Sequence, residues 1–449
     1  MGRYQAYPEY KGSGVDWLGN VPVDWNVLDL KRHVWVKTGY AFASESFVDG
    51  GEPIIRIGDI QQDGSVSLDG CKFIPIDQAK QHSNYLVYNG ELLMAMTGAT
   101  IGKAGWYNYQ KPALINQRVG VFKTNLNKLK YRFLWFVLKS SGYQEYIKLT
   151  AFGGAQPNIS DIGMVGYKTV LPSLKEQQQI ANFLDHETAK IDTLIEKQQQ
   201  LIQLLKEKRQ AVISHAVTKG LNPNALMKDS GVEWLGEVPE HWVCKSYRYA
   251  CQIYRGKFGH RPRNDPAFYD GDYPFIQTGD VAQAGKYITE YKQTLNEKGK
   301  AVSQLFPAGT LVMTIAANIG DTAILGFEAY APDSIVGFKP KEDIDLEFLR
   351  YSLMAALPAL VQTSTQSTQA NLNIERVGAV QAAFPTKLEQ QEVVKFIDEM
   401  LDKFNSIEAQ ALSGIEILQE RRTALISAAV TGKIDVRHFV SKDGQAPQN

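Results

Sequence analysis

The chain has 449 residues, of which 44% are hydrophobic and 21% charged, and 48 basic residues balance 48 acidic ones. The length predicts two to four domains, and the neutral balance argues against a protein that coats nucleic acid over its whole surface, although local basic patches remain open. No run approaches about 18 apolar residues, which predicts neither a membrane span nor a secretory signal. Three cysteines at spacings unlike those of metal sites favour reduced thiols in a cytoplasmic protein.

The chain contains an internal repeat that begins near its start. SGVDWLGNVPVDW at 13–25 matches SGVEWLGEVPEHW at 230–242 in nine of thirteen positions. Later pairs include PIIRIGDI with PFIQTGDV, and LLMAMTGATIG with LVMTIAANIG. The order is therefore globular unit, long helix, globular unit, long helix. We expect the recurring tryptophans of the opening segments to pack the start of each unit and not to stack on bases.

Each globular unit has about 150 residues and an α+β pattern. Short apolar runs bounded by Gly, Asp and Asn predict strands joined by tight turns, whereas YRFLWFVLKSS and LEFLRYSLMAAL have helical spacing. We therefore expect a twisted or partly closed sheet with a few helices on it.

Two long helices follow the two units. Each begins after a proline, with Ser173 three residues before Glu176 and Thr386 three residues before Glu389, which predicts a capping box in which each side chain bonds the other residue's backbone. Apolar residues then hold a 3.5-residue period for four heptads, as in helices that pack along their length. The predicted apolar seam consists of Leu184, Ile191, Ile195, Ile202, Leu205, Ile397, Leu401, Phe404, Ile415 and Leu418.

The predicted architecture is two pseudo-two-fold-related globular domains joined by two long antiparallel coiled-coil helices. A helix of about 40 residues is a rod of roughly 60 Å, whereas a domain of about 150 residues is only ~30 to 40 Å across. The second domain starts at the far end of the first helix and is too small to bring the chain back to its beginning. The second helix should therefore run antiparallel to the first. The predicted boundaries are 1–172 for the first domain with a short N-terminal tail, 173–219 for the first helix, 220–385 for a linker and the second domain, 386–432 for the second helix, and 433–449 for a polar tail.

Catalytic motifs are missing from the sequence. GATIGKA at 98–104 resembles a phosphate-binding loop, but it has one residue too few between its glycines, and Ala104 stands where Ser or Thr would hold magnesium. There is no NPPY or DPPY run, HExxH, CxxC pair or GxSxG, and the seven histidines do not cluster as metal ligands. This pattern indicates a protein that binds and positions without performing chemistry, with no catalytic or metal-binding residues.

Several segments carry donors suited to nucleic acid. The loop RGKFGHRPRN at 255–264 is rich in cations, and its counterpart KTGYAFASES contains only Lys37. The side-chain amides of residues 156–158 and 369–371 are able to bond adenine, but they could equally satisfy local backbone groups. The segment 255–264 either contacts DNA or is a charged loop that faces solvent. The candidate DNA-binding residues are Lys37, Lys103, Arg118, Lys123, Gln156, Asn158, Arg255, Lys257, His260, Arg261, Arg263, Gln369 and Asn371.

The arrangement resembles the specificity subunit of type I restriction-modification systems. The resemblance rests on two units that open with SGVxWLGxVPxxW, close with LPSLKEQQQIANFLD or FPTKLEQQEVVKFID, and lead into helices that end in KRQAVISHAVTKG or RRTALISAAVTGK. It covers essentially the whole chain.

The resemblance implies a non-catalytic subunit with two target-recognition domains and two helical spacers. It would bind double-stranded DNA at an asymmetric, bipartite site and carry two methyltransferase subunits, which transfer a methyl group from S-adenosylmethionine to adenine N6, together with restriction subunits that use ATP and Mg. This chain itself would bind no cofactor. If the helices set the spacing of the half-sites, inserting four residues after Gln198 and four after Ala411 should lengthen the unspecified spacer.

Two alternatives to this function differ in class. One is a coiled-coil adaptor that joins two protein-binding domains without DNA readout, and the other is a self-sufficient methyltransferase, which the missing motifs oppose. Arg209 and Arg422, which interrupt the apolar seam, either reach acidic partners such as Glu176 or Glu389 on the opposing helix or contact the methyltransferase subunits.

Overall fold

The chain forms two compact units, which are described here from a computed structural model. One unit comprises Met1–Gln198 with Leu412–Asn449, and the other comprises Gln199–Ala411. Both units combine sheets with helices, and the two long helices pack together, so the predicted α+β fold with two domains joined by a coiled coil is confirmed. The structure describes residues 4–154, 156–316, 319–362, 372 and 374–440.

The first unit contains two four-stranded sheets, of order β6-β5-β10-β7 and β4-β11-β8-β9, and the pairs β1-β2 and β12-β3. Its strands are β1 (Tyr10–Gly12), β2 (Asn20–Pro22), β3 (Asn26–Asp29), β4 (Val34–Thr38), β5 (Glu52–Ile55), β6 (Lys72–Ile74), β7 (Leu86–Val87), β8 (Glu91–Ala95), β9 (Ala104–Tyr107), β10 (Ala113–Ile115), β11 (Val119–Thr124) and β12 (Lys168–Leu171). Its helices are α1 (Ile76–Gln81), α2 (Tyr131–Lys139), α3 (Ser141–Thr150), α4 (Asp161–Val165) and the first part of α5 (Leu174–Lys219).

The second unit repeats this plan with sheets of order β16-β24-β21-β22-β18 and β19-β17-β23-β20 and the pairs β13-β14 and β15-β25. Its strands are β13 (Met227–Asp229), β14 (Glu237–Pro239), β15 (Val243–Ser246), β16 (Cys251–Arg255), β17 (Tyr269–Phe275), β18 (Tyr287–Ile288), β19 (Gln293–Leu295), β20 (Gln304–Phe306), β21 (Leu311–Thr314), β22 (Thr322–Leu325), β23 (Ala329–Ala331), β24 (Ile335–Pro340) and β25 (Gln381–Phe384). Its helices are α6 (Tyr247–Ala250), α7 (Thr278–Gln283), α8 (Glu297–Val302), α9 (Leu346–Ala355), α10 (Leu357–Gln362), α11 (Ile374–Ala379) and the first part of α12 (Lys387–Val430).

The long helices end where glycine allows the backbone to turn. Gly220 follows α5 with φ of 73°, a left-handed conformation that costs glycine little. Gly432 follows α12 with φ of 75°, and a Cβ placed there would lie 2.4 Å from Cδ of Pro22. Among the described residues, none of the helices is both long and apolar enough to cross a membrane.

Only half of the predicted capping box is present at each helix start. The hydroxyl of Ser173 accepts from the backbone N–H of Glu176 at 3.3 Å, and that of Thr386 accepts from the N–H of Glu389 at 3.4 Å. The glutamate side chains do not return to the cap: Glu176 accepts from the hydroxyl of Tyr7, and Glu389 accepts from the indole of Trp242. The prediction was wrong in that respect, because the aromatic donors Tyr7 and Trp242 compete for the carboxylates.

A buried glutamine joins each long helix to its globular unit. Gln177 donates to the carbonyl oxygens of Lys128 and Pro172 at 2.9 and 3.0 Å, and accepts from the N–H of Lys130 at 2.9 Å. The equivalent Gln390 makes the same three bonds to Asp343, Pro385 and Asp345, at 3.0, 2.9 and 2.7 Å. Both side chains are 0% exposed, so each buried amide has its polar atoms satisfied by backbone groups of the unit, and the bond to the proline carbonyl is itself buried.

Within each unit, the start of one long helix packs against the end of the other, so the two helices run antiparallel. In the first unit, Leu184, Ile191, Ile195 and Leu418 pack with the core cluster that contains Leu425. In the second unit, Ile397 and Leu401 pack with the cluster that contains Ile213. Leu205 and Phe404 are buried, and the remaining predicted seam residues, Ile202 and Ile415, are half-buried.

The seam arginines pair with acidic residues of the opposing helix, but not at its start. In the second unit, Arg209 pairs with Glu408 at 2.6 Å and donates to the amide oxygen of Asn405 at 2.7 Å. In the first unit, Arg422 pairs with Asp192 at 2.9 Å. Glu176 and Glu389 were therefore the wrong partners, because each arginine meets the middle of the opposing helix.

Candidate nucleic-acid interface

Backbone hydrogen bonds identify the same sheet edge in both units. In the first unit, the N–H of Ala95 donates to Lys103 O at 2.9 Å and that of Met96 to Arg118 O at 2.9 Å. In the second unit, Thr314 donates to Asp321 O at 3.0 Å, and Ile315 to Ser334 O at 2.9 Å.

These bonds make Asp321 the equivalent of Lys103 and Ser334 the equivalent of Arg118. The units thus place different side chains on matching backbone positions.

The edge of the first unit brings together four of the predicted DNA-binding residues. The segment 156–160 crosses the end of β8, where Gly98 donates to Pro157 O at 2.8 Å and Ile159 to Met96 O at 3.0 Å. Gln156 and Asn158 are exposed, as is Arg118, and Lys103 is half-buried. We call Lys103, Arg118, Gln156 and Asn158 the first-unit edge cluster, a set of cations and amides able to bond phosphates and base edges.

Two hydroxyls add to the polar character of this edge. Thr97 and Thr100 lie in the turn that follows β8, and within the described part of the chain their buried Oγ1 atoms have no hydrogen-bond partner.

Two predicted residues of the first unit lie elsewhere. Lys123 is at the far end of β11 from Arg118, where its ammonium group pairs with Glu91 and its side chain is 21% exposed. Lys37 is half-buried in β4, opposite Val121. Lys123 therefore does not lie with Lys103 and Arg118, because the six-residue strand between Arg118 and Lys123 has a length of roughly 17 Å.

The basic loop of the second unit lies at the equivalent edge and is bound to one aspartate. Arg255 donates from Nε to the carbonyl oxygen of Asp333 at 2.7 Å, and the carboxylate of Asp333 pairs with Arg261 at 3.3 Å and with Arg263. Lys257 is exposed beside them. The loop keeps a positive excess, but three of its cations are tied down by Asp333.

His260 supports the loop from within. Its Nε2 lies 2.9 Å from the carboxylate of Asp265, and its ring stacks on Phe268 with centroids 4.0 Å apart. The backbone N–H of Ala267 and the bond to His260 hold the pKa of Asp265 below its usual value. These contacts favour a positioning role for His260 over direct contact with DNA.

A cleft of about 270 Å³ opens beside this loop. Its polar wall contains Arg263, Asn264, Gln277, Gln293 and Ser334, and buried rings of Phe258 and Phe275 form part of its floor. Gln277 donates to the side chain of Gln293, which fixes one amide against the other. The cleft therefore offers donors and acceptors suited to a base edge, of which the Gln277–Gln293 pair and Arg263 are held by side-chain contacts.

Lys139, a cation of the first unit that no sequence motif singled out, is strongly affected by burial. Burial, with Arg422 and Lys103 nearby, lowers the pKa of Lys139 to about 8. Its ammonium group lies 4.5 Å from the ring centroid of Trp135. Helical spacing marked this residue only as the end of α2.

Two of the predicted DNA-binding residues, Gln369 and Asn371, lie outside the described residues.

Comparison with a family model gives two matches along the chain. The model is described as the type I restriction modification DNA specificity domain, and it matches residues 22–204 and 251–416, which together exceed half of the chain. Within the described residues, no group of three or more His, Cys, Asp or Glu side chains is arranged to hold a metal ion.

Curated relatives have names of the same kind. The MjaVIII specificity subunit of Methanocaldococcus jannaschii is 28% identical over 44% of this chain and 48% of its own length, so this match spans about half of that relative. The putative MjaX specificity subunit of the same organism is 22% identical over 94% of this chain and 96% of its own length. The EcoBI specificity subunit of Escherichia coli is 24% identical, with 94% and 88% covered.

Solved structures share the fold. A chain from a study of complex assembly and conformational transition of the type I R-M system superposes with a TM-score of 0.70 at 15% identity, covering 92% of this chain and 99% of that chain. The HsdS subunit of Thermoanaerobacter tengcongensis superposes with a TM-score of 0.52 at 15% identity, covering 92% and 98%.

Proposed function

The chain belongs to the family of type I restriction-modification DNA specificity proteins, and from that premise we propose that it selects the DNA sequence for a methylation and restriction complex without catalysing either reaction. One observation carries the proposal. At matching backbone positions, the first unit has Lys103 and Arg118 where the second has Asp321 and Ser334. Units that share a frame but differ in donors and acceptors are suited to reading different sequences.

The target under this proposal is asymmetric and bipartite. The first unit reads one half-site with its edge cluster, and the second reads the other with the basic loop and the adjoining cleft. The exposed cations bond phosphates and set the register, whereas fixed side chains such as Arg263 and Gln293 contact bases. The separate half-sites follow from there being two readers in one chain.

The partners under this proposal are two methyltransferase subunits, which bind S-adenosylmethionine and methylate adenine N6, and restriction subunits that use ATP and Mg. The long helices support this view because apolar side chains on them face solvent. Leu204 and Ile417 are 61% and 62% exposed, and Leu388 is 70% exposed. We take these exposed apolar residues of the helices, together with the opening segments 13–25 and 230–242, as the candidate surface for the partners.

The decisive test is a genome-wide map of methylated adenines in the host, with and without this gene. We expect loss of one asymmetric motif that is split by an unspecified spacer. An unchanged map in cells that express an intact partner methyltransferase would contradict the proposal and favour the adaptor alternative.

A binding measurement separates the same alternatives in vitro. A DNA reader should shift a duplex that carries the mapped motif more strongly than a scrambled duplex of equal length. The affinity should fall as salt rises, because phosphate contacts release counterions. An adaptor would bind neither duplex in this manner.

A further inference from the structure

Asp333 organises the basic loop of the second unit, although no pattern in the sequence marks it. Its carbonyl oxygen accepts from Arg255 Nε at 2.7 Å, and its two carboxylate oxygens accept from Arg261 and Arg263. The side chain is 29% exposed, so the pairs lie at the surface but not in free solvent. One residue therefore fixes three arginines at the edge of the sheet.

The rest of the loop is held in place as well. Nη1 of Arg261 donates to the carbonyl oxygens of Phe258 and His260 at 2.7 and 2.8 Å. The hydroxyl of Tyr269 donates to the carbonyl oxygen of Arg263, and the N–H of Gly259 donates to Val302 O at 2.9 Å. A loop with so many bonds has already lost much of its conformational freedom, so less entropy is lost when it binds a ligand.

Arg263 has more unbonded guanidinium N–H donors than Arg261. The guanidinium of Arg261 is bonded to two carbonyl groups and to Asp333, whereas, among the hydrogen bonds of the described residues, that of Arg263 bonds only Asp333. Arg263 is 48% exposed and lines the cleft with Asn264 and Ser334. A guanidinium has five N–H donors, so Arg263 can bond Asp333 and still present a pair of donors to a ligand.

We propose that Arg263 reads a guanine in the half-site bound by the second unit, and that Asp333 is the residue that positions it; this deepens the proposed function and rests on it. Guanine presents O6 and N7 as two acceptors in the major groove, which match two parallel N–H groups of one guanidinium. A carboxylate that holds another N–H of the same guanidinium restricts the directions in which those donors point. An unrestrained cation such as Lys257 bonds phosphates instead, without regard to sequence.

The first unit lacks this arrangement. The backbone bonds of Tyr40 to Ile115 O and of Lys257 to Ala331 O place Gln117 at the position of Asp333. An amide at that site does not form an ion pair with arginine, and the only basic residue of the corresponding segment 37–46 is Lys37, which lies in β4. The first unit therefore serves as an internal reference, since its half-site should not respond to changes at Arg263 or Asp333.

The test is a selection from a pool of randomised duplexes by the full chain, alone and assembled with its methyltransferase subunits. We would compare the natural protein with Arg263→Ala and Asp333→Asn, and use Lys257→Ala as the matched control. We expect Arg263→Ala to lose roughly 5- to 150-fold of preference at one G·C pair of the second half-site and to keep the other preferences. Asp333→Asn, which retains the shape of the side chain, should lower the preference at the same pair.

Lys257→Ala should weaken binding to all sequences about equally and leave the base preferences intact. If Arg263→Ala retains every preference of the natural protein in the second half-site, the assignment is wrong. That result leaves the proposed function standing as long as both half-sites are still selected. If the natural protein selects no sequence from the pool, the proposed function fails together with the inference.

Discussion

The two equivalent sheet edges have the same backbone but hold their cations in different ways. In the first unit, Lys103 and Arg118 lie beside exposed amides. In the second unit, the arginines of the loop converge on Asp333. The same backbone arrangement thus presents cations beside amides in one unit and arginines paired with an aspartate in the other. The difference shows that recognition chemistry changes through surface side chains while the frame that positions them stays the same.

The largest expected effect tests whether the buried glutamines Gln177 and Gln390 have equivalent roles in the two units. Gln177→Leu and Gln390→Leu should each lower the free energy of unfolding by about 2–5 kcal/mol, because each change breaks three hydrogen bonds and leaves one buried and two partly buried backbone groups without partners. Urea denaturation of the full chain measures this. The exposed Gln391 provides the control, since Gln391→Leu should change stability by less than about 0.5 kcal/mol. Markedly unequal losses at Gln177 and Gln390 would break the equivalence of the two units.

The next effect concerns a difference between the units. Lys139 occupies the position of Met354, as the matching contacts of Gln177 with Lys130 and Gln390 with Asp345 show. Lys139→Met should raise stability at pH 7 by about 1–3 kcal/mol, because folding weakens proton binding by this buried amine.

The gain should depend on pH in a defined direction. The pKa of Lys139 falls from 10.5 to about 8, so the unfolded chain binds the proton more tightly between these values. The natural protein should therefore gain stability, relative to Lys139→Met, as pH rises from about 8 to 10.5. A stability difference that stays constant across this range, measured by urea denaturation, would show that Lys139 is solvated.

A smaller effect probes the edge of the first unit. Arg118→Ser installs the residue that the second unit has at the equivalent position. We expect DNA affinity to fall about tenfold, which corresponds to about 1.4 kcal/mol, and the slope of log affinity against log salt to decrease by about 1. Lys123→Met is the control, since its ion pair with Glu91 lies at the opposite end of the strand. An equal loss in both variants would contradict the edge as the DNA contact.

The smallest effect compares the two seam arginines. Arg209→Ala removes bonds to both Glu408 and Asn405, whereas Arg422→Ala removes a pair with the more exposed Asp192. We expect the free energy of unfolding to fall by about 1 kcal/mol in Arg209→Ala and by about 0.5 kcal/mol in Arg422→Ala, because solvent weakens the more exposed pair. Thermal unfolding of both variants gives the comparison, and the reverse order would mean that exposure does not govern these pairs.

The sequence by itself was sufficient for the plan of the molecule. Repeated motifs and a long 3.5-residue period depend on neighbouring residues, so they indicated the duplication, the two long helices and the family without any three-dimensional information. Glycine after α5 is a local signal of the same kind. The expectation of α+β units followed from the alternation of short apolar runs with helical spacing, which is also local.

Only the tertiary structure decided which cations are available at the sheet edges. Asp333 pairs with Arg263 across 70 residues of sequence, and Glu91 pairs with Lys123 across 32. Basic residues near each other in sequence were separated by the length of a strand, and the carboxylates that hold them came from other strands and turns. Such pairings depend on how strands are brought side by side, which the local pattern around each residue does not contain.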